Sequence, residues 1–202
     1  MTEYAPSMIV SGDARQELAT GFPLGKRFKS APVVRVCDAN PVHLGHEHRA
    51  DGRWRIYAFA DAAAAGTGAE ASALVDFATW LDDSPESPIN VHTPDGAERG
   101  SVFDVKVVYQ QPHTGVDLAV VPPVFLPRVG PFDLVDTWHV FATDPGVDIF
   151  GERGISRDGA IVVVRPDHYV AHVLPLTATD ELAAFFRGAL LPQRVAAEAS
   201  AR

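Results

Sequence analysis

Apolar positions along the chain come in short runs whose period shifts between that of a strand and that of a helix. In residues 53–60, RWRIYAFA, Trp54, Ile56, Ala58 and Ala60 alternate with Arg53, Arg55, Tyr57 and Phe59, and the later part is apolar on both faces. That pattern predicts a central strand. Residues 33–37 and 101–109 (SVFDVKVVY) predict two more strands. Leu74, Phe77, Ala78 and Leu81 fall on one stripe and predict a helix over 70–81, stopped by Pro85, Pro88 and Pro94. Near the end, residues 161–164 are a β-branched run, and Arg165-Pro166-Asp167-His168 has turn chemistry. Residues 169–174 predict the second strand of that hairpin. Thr177-x-x-Asp180 reads as a helix start, and Leu182, Phe185, Phe186, Ala189 and Leu190 then share one face.

Less regular stretches separate these elements. Pro6, Gly12, Gly21, Pro23 and Gly25 break the first thirty residues, which read as an arm (1–30) ahead of one domain (31–191) and a flexible tail (192–202). Residues 41–48 carry three histidines in a segment that reads as a loop. Residues 110–131 are proline-rich and read as loop, and 136–142 as a short strand or helix. Strand, helix, strand, irregular segment, hairpin, helix is an α/β order with a mixed sheet. It is the order of a thioredoxin-like fold with flanking helices and extra loop segments.

Composition narrows the function classes. The chain has 202 residues, of which 47% are hydrophobic, enough for a real core. A formal net charge of -9 argues against nucleic-acid binding, which draws on a basic patch. No run of about 18 apolar residues is present, so no transmembrane helix is expected. The start, MTEYAPSMIVSGDARQ, lacks the basic-then-apolar pattern of a signal peptide. These features together predict a soluble cytoplasmic protein. Cys37 is the one cysteine, so the chain can form neither an internal disulfide nor a CxxC redox pair. A buried thiol acting as a small hydrophobe is the simple reading. The alternative is a stand-alone redox protein using Cys37 with a resolving thiol from elsewhere.

Three motifs invite chemistry. Gly66-Thr67-Gly68-Ala69-Glu70-Ala71 matches a dinucleotide fingerprint, but residues 61–65 separate it from the preceding strand, where the motif needs a tight turn directly off the strand. A loop before a helix is the better reading. His43, His46 and His48 are close enough in sequence to suggest a metal-binding module, completed by Glu47 or Asp51, although the spacing is not a standard helical ligand pair. Residues 154–159, GISRDG, are one residue too long for a nucleophile elbow. The residues themselves therefore yield no catalytic group.

Three blocks carry a resemblance. GKRFKSAPVVRV (25–36), DGRWRIYAFAD (51–61) and GAIVVVRPDHYVAHVLPL (159–176) resemble the C-terminal domain of phenol 2-monooxygenase and 3-hydroxybenzoate 4-monooxygenase. Tyr4-Ala5-Pro6-Ser7 is similar to the sequence that ends their substrate domain, so the likeness runs from Tyr4 to Leu191. The resemblance implies a thioredoxin-like domain without redox cysteines that contributes to dimerisation. It also implies that FAD and NADPH belong to the parent aromatic hydroxylases. The positions that would bind flavin or hydroxylate a ring are not in the matched blocks, so no cofactor and no catalytic residue carries over. A homodimer, and a flavin-binding monooxygenase domain as second partner, are the expected associations. The apolar run AVVPPVFLP suggests where copies meet, through Val120, Val121, Val124, Phe125 and Leu126. The competing expectation is that this run folds back over one face of the sheet.

Overall fold

The computed structural model describes residues 2–64 and 72–193. Nine strands and four α-helices are assigned among them. They are β1 (Pro32–Arg35), β2 (Asn40–His43), β3 (Trp54–Phe59), α1 (Ala73–Asp83), α2 (Pro88–His92), β4 (Phe103–Pro112), β5 (Arg128–Val129), β6 (Leu134–Val135), β7 (Val140–Thr143), α3 (Ile149–Glu152), β8 (Ala160–Val164), β9 (Val170–Leu174) and α4 (Thr179–Ala189). Seven strands form one sheet in the order β2-β1-β7-β4-β3-β8-β9, and β5 and β6 form a separate ribbon. β3, β4 and β7 run parallel, and β8 is antiparallel to both β3 and β9. The order β9-β8-β3-β4, with α1 joining β3 to β4 and α4 following β9, is the thioredoxin-like arrangement anticipated from the element order.

The central strand follows from its residues. Every side chain of β3 is buried. Trp54, Ile56 and Ala58 belong to one apolar layer, with Leu74, Phe77 and Leu81 of α1 and Leu182 and Phe186 of α4. Tyr57 and Phe59 belong to the opposite layer, with Val162, Val164, Phe22 and Phe28. Helices cover the first face. On the second face, residues from the expected arm do the covering. Phe22 stacks on Phe28 at 4.5 Å between centroids, and Phe28 on Tyr57 at 4.8 Å. The arm also closes one edge of the sheet, because Val170 donates to Lys26 O and Ser11 donates to Ala171 O. An edge strand covered in this way cannot pair with another chain.

Local chemistry sets the helix ends. Asp61 accepts hydrogen bonds from the Ser72 hydroxyl (2.7 Å) and from Leu74 N–H (3.1 Å), so a carboxylate from outside the helix satisfies the start of α1. Pro88 was expected to stop a helix. It instead opens α2, where Ser87 Oγ accepts from Asn90 N–H at 3.3 Å and proline suits the first turn. The histidine segment read as loop contains β2 and a 3-10 turn over Leu44–Glu47. The loop expected over 110–131 contains 3-10 turns and the first strand of the β5–β6 ribbon. The Gly66–Ala71 motif, and the tail from residue 194 onward, lie outside the described residues.

Candidate functional site

Among the described residues, a cavity lies where the parallel strands β3, β4 and β7 begin. It is a groove of about 530 Å³. Its lining includes Pro123, Val124, Leu126, Trp138 and, from the ribbon, Val129, Gly130 and Asp133. Beneath it lies a buried ionic cluster that comes from three strands.

Arg55 and Asp104 are register partners on β3 and β4, and both are almost fully buried. Arg55 Nε donates to Asp104 Oδ2 at 3.0 Å, while its other nitrogens donate to the carbonyls of Arg53 and Arg49 and to the Asp51 carboxylate. The other Asp104 oxygen, Oδ1, is 3.0 Å from Lys106 Nζ and 3.1 Å from His139 Nδ1. His139 Nδ1 is also 3.0 Å from the Val105 carbonyl, and its Nε2 is 3.1 Å from Asp136 Oδ2. Both ring nitrogens therefore face acceptors, which fits a doubly protonated imidazolium. Burial pulls the His139 pKa down, but Asp104 and Asp136 outweigh that and raise it above the ordinary histidine value. Burial would push the Asp104 carboxyl up, yet His139, Lys106 and Arg53 hold it well below the usual carboxylate range. Lys106 shifts downward because desolvation exceeds the pull of Asp104. Four cations (Arg53, Arg55, Lys106, His139) thus meet three carboxylates (Asp51, Asp104, Asp136) in one network. In this network the charges hold one another in place.

The residues singled out by sequence are dispersed. His43 and His46 sit 5.2 Å apart between ring centroids, but His48 turns inward and stacks on His168 at 3.6 Å. Burial, with the Arg55 charge, depresses His48 to about 3. Among the described residues no group of three or more His, Cys, Asp or Glu side chains could hold a metal ion. The metal-module expectation thus fails on geometry. Cys37 lies between β1 and β2 and is partly buried.

The expected interface run also has to be corrected. Phe125 is 0% exposed, Val121 and Val124 are buried beside it, and all three belong to the layer under α1. Leu126 is half-buried against that layer, and only Val120 remains exposed, at 45%. The run folds back, as the competing expectation had it. Sequence reading missed both the ionic cluster and the apolar ribbon. A signal for the cluster was available: Asp104 and Lys106 interrupt an apolar strand two residues apart, as Arg53 and Arg55 do in its neighbour.

A thioredoxin-like domain with a single cysteine, and with Arg55, Asp104, Lys106 and His139 paired to one another in its interior, defines the class. Residues 2–194 match the family model described as phenol hydroxylase, C-terminal dimerisation domain, and the chain belongs to that family. It is 45% identical over 192 residues to the 3-hydroxybenzoate 4-monooxygenase of Comamonas testosteroni, covering 92% of this chain and 29% of that protein. It is 31% identical over 198 residues to the FAD-dependent monooxygenase terD of Aspergillus terreus, covering 91% of this chain and 30% of that one. The chain therefore spans less than a third of the length of these curated relatives. Among solved structures, aklavinone-11 hydroxylase in a ternary complex with FAD and aklavinone aligns with 94% of this chain and 26% of its own, at 16% identity and a TM-score of 0.47. No helix among the described residues is long and apolar enough to cross a membrane.

Proposed function

We propose that this chain is the association domain of a FAD- and NADPH-dependent aromatic-ring hydroxylase acting on phenolic compounds, that it pairs with a second copy of itself, and that it does no chemistry alone. The observation that carries this reading is the family match over residues 2–194, joined to relatives more than three times as long. The geometry supports it. Cys37 has no second cysteine in the chain to resolve a disulfide with, and the charged groups under the groove are consumed in mutual pairing rather than aimed at a substrate. We assign FAD, NADPH and the phenolic substrate to the portion of the relatives that this chain does not span. An association domain serves that chemistry by holding two catalytic units in register.

The test is direct. Purified chain should sediment as a dimer at tens of micromolar, and should not copurify with stoichiometric FAD. Monomer at those concentrations overturns the association reading, and yellow protein with one FAD per chain overturns the division of labour.

A further inference from the structure

The association reading leaves open which face the two copies share, and the run expected to supply it is buried. Another stretch fits that role. Within residues 129–138, Phe132 is 81% exposed, Leu134 63%, Trp138 48%, Val135 46% and Val129 36%. Single exposed apolar side chains are ordinary, but five in ten consecutive residues are not. Four of them lie on the β5–β6 ribbon, whose strands have two residues each and, among the described residues, pair only with each other. A ribbon that small is marginal in water by itself.

This ribbon is nevertheless held firmly. Asp136 N–H donates to Pro127 O at 2.8 Å and closes its base. Gly130 N–H donates to Glu98 Oε1 at 2.8 Å, which ties the turn to the loop before β4. Arg128 reaches across to both the carbonyl and the carboxylate of Asp133, each at 3.0 Å. Gly130 takes a positive φ of 71°, as the turn requires. The fold thus presents Phe132 at a fixed position, and preorganisation lowers the entropic cost of an association.

The groove lies directly beside the ribbon and shares Val129 and Gly130 with it. Its apolar lining comes from Phe103, Val105, Val124 and Leu126. Of the basic groups on its walls, Arg99 has Asp82 at 2.6 Å, Lys106 has Asp104, Arg53 has Asp51 and Arg128 has Asp133, and Arg49 lines it as well. One face therefore carries an apolar projection beside a groove whose apolar lining alternates with charged side chains, most of them paired. A two-fold axis brings such a face against itself, so that each projection can meet the groove of the other copy.

Resting on the association reading, we infer that the occupant of the groove is a second copy of this chain, with the Phe132 and Leu134 side chains of each copy seated against the groove of the other. Trp138, with Arg35 stacked 4.1 Å above its ring, forms the edge of the contact. Aromatic anchors in desolvated recesses dominate the energetics of such interfaces.

Sedimentation of the wild-type chain, of Phe132→Asp/Leu134→Asp and of Val120→Asp tests the surface. The double variant should weaken the dimer by at least about 100-fold with its circular dichroism spectrum unchanged, and Val120→Asp should leave dimerisation as it is. A wild-type dimer that survives the double substitution overturns this surface and leaves the association reading standing. A wild-type monomer overturns both. The seating itself is read from Phe132→Cys/Leu126→Cys in a Cys37→Ser background. Oxidation should yield a disulfide between position 132 of one chain and position 126 of the other, identified by peptide mapping, and Phe132→Cys alone should not cross-link. A link through position 132 of both chains would show the ribbons packing on each other and remove the groove from the proposal.

Discussion

Two apolar stretches lie almost end to end in this chain, and they meet opposite fates. AVVPPVFLP, ending at Pro127, sends Val121, Val124 and Phe125 into the core beneath α1. RVGPFDLV, beginning at Arg128, leaves Phe132 and Leu134 in solvent. Both are mostly apolar and proline-bearing, although the second also carries Arg128 and Asp133. The difference lies in what each backbone can do. The first stretch is wound into 3-10 turns, Leu118–Val120 and Pro123–Phe125, and three-residue spacing sends Val121 and Val124 to the same side. The second is a two-residue ribbon with a Gly-Pro turn, tied by its base and by Glu98, so its side chains stand away from the body. Apolarity says that a segment needs covering, and the backbone decides whether the chain can provide the cover itself.

The largest expected effect breaks the first half of that comparison. Phe125→Asp places an unpaired charge at a site with no exposure, and should abolish cooperative folding rather than merely dissociate a dimer. Phe125→Ala should cost about 3–5 kcal/mol. Urea unfolding followed by circular dichroism gives both results. A folded, monomeric Phe125→Asp would return the segment to the surface.

The next effect concerns the ionic floor between the two stretches. Asp104→Asn leaves Arg55 and Lys106 buried without their shared counter-charge and should cost about 3–5 kcal/mol. A loss below about 1 kcal/mol in urea unfolding would mean that the cations relax to water, which their burial opposes. Asp104, held low in the fold, contributes stability above the ordinary aspartate range and loses it as pH falls through its folded value. His139 acts in the opposite sense. Its folded pKa is raised above 6.5, so its contribution is fully present below that value and is lost as pH rises through the folded pKa. His139→Gln should therefore destabilise the chain by about 1–3 kcal/mol near pH 5.5 and by clearly less near pH 9. His48 and His172, depressed to about 3 and about 4, act the other way in both proteins, and their contributions cancel in the difference. An equal loss at both pH values would mean that His139 is neutral in the fold.

How much of this was legible in the sequence depended on how far each element's pattern ran. β3, β8, β9, α1 and α4 are long enough for period to show, and residues 53–60 declared a strand buried on both sides. β2 escaped because its burial is nearly nil and it holds Pro41, so it has no apolar face to alternate. The ribbon escaped because two-residue strands fall below any period. The groove and its ionic floor are products of register: Arg55 meets Asp104 only because β3 and β4 pair in parallel at that offset. A linear reading saw two charged strands without seeing that their charges face each other. The three histidines failed for the converse reason. Sequence proximity put His48 with His43 and His46, and the chain leaving the 3-10 turn carried it inward to His168.

The smallest expected effect sharpens the second half of the comparison. Phe132 is nearly as exposed as a side chain can be, so in the isolated fold it has little apolar contact to lose. Its replacement by Ser should change monomer stability by no more than about 0.5 kcal/mol, in the range of ordinary surface substitutions. The measurement has to be made where association is absent, because a dimer adds the binding free energy to apparent stability. Urea unfolding across a hundredfold range of chain concentration separates the two. In the wild-type chain the midpoint should rise with concentration, and in Phe132→Ser it should rise less, with both converging at the dilute end. Phe125→Ala should instead shift the midpoint by a similar amount at every concentration. If Phe132→Ser were as costly at the dilute end as Phe125→Ala, the ribbon would be part of the core, and the distinction between a self-covered stretch and a partner-covered one would collapse.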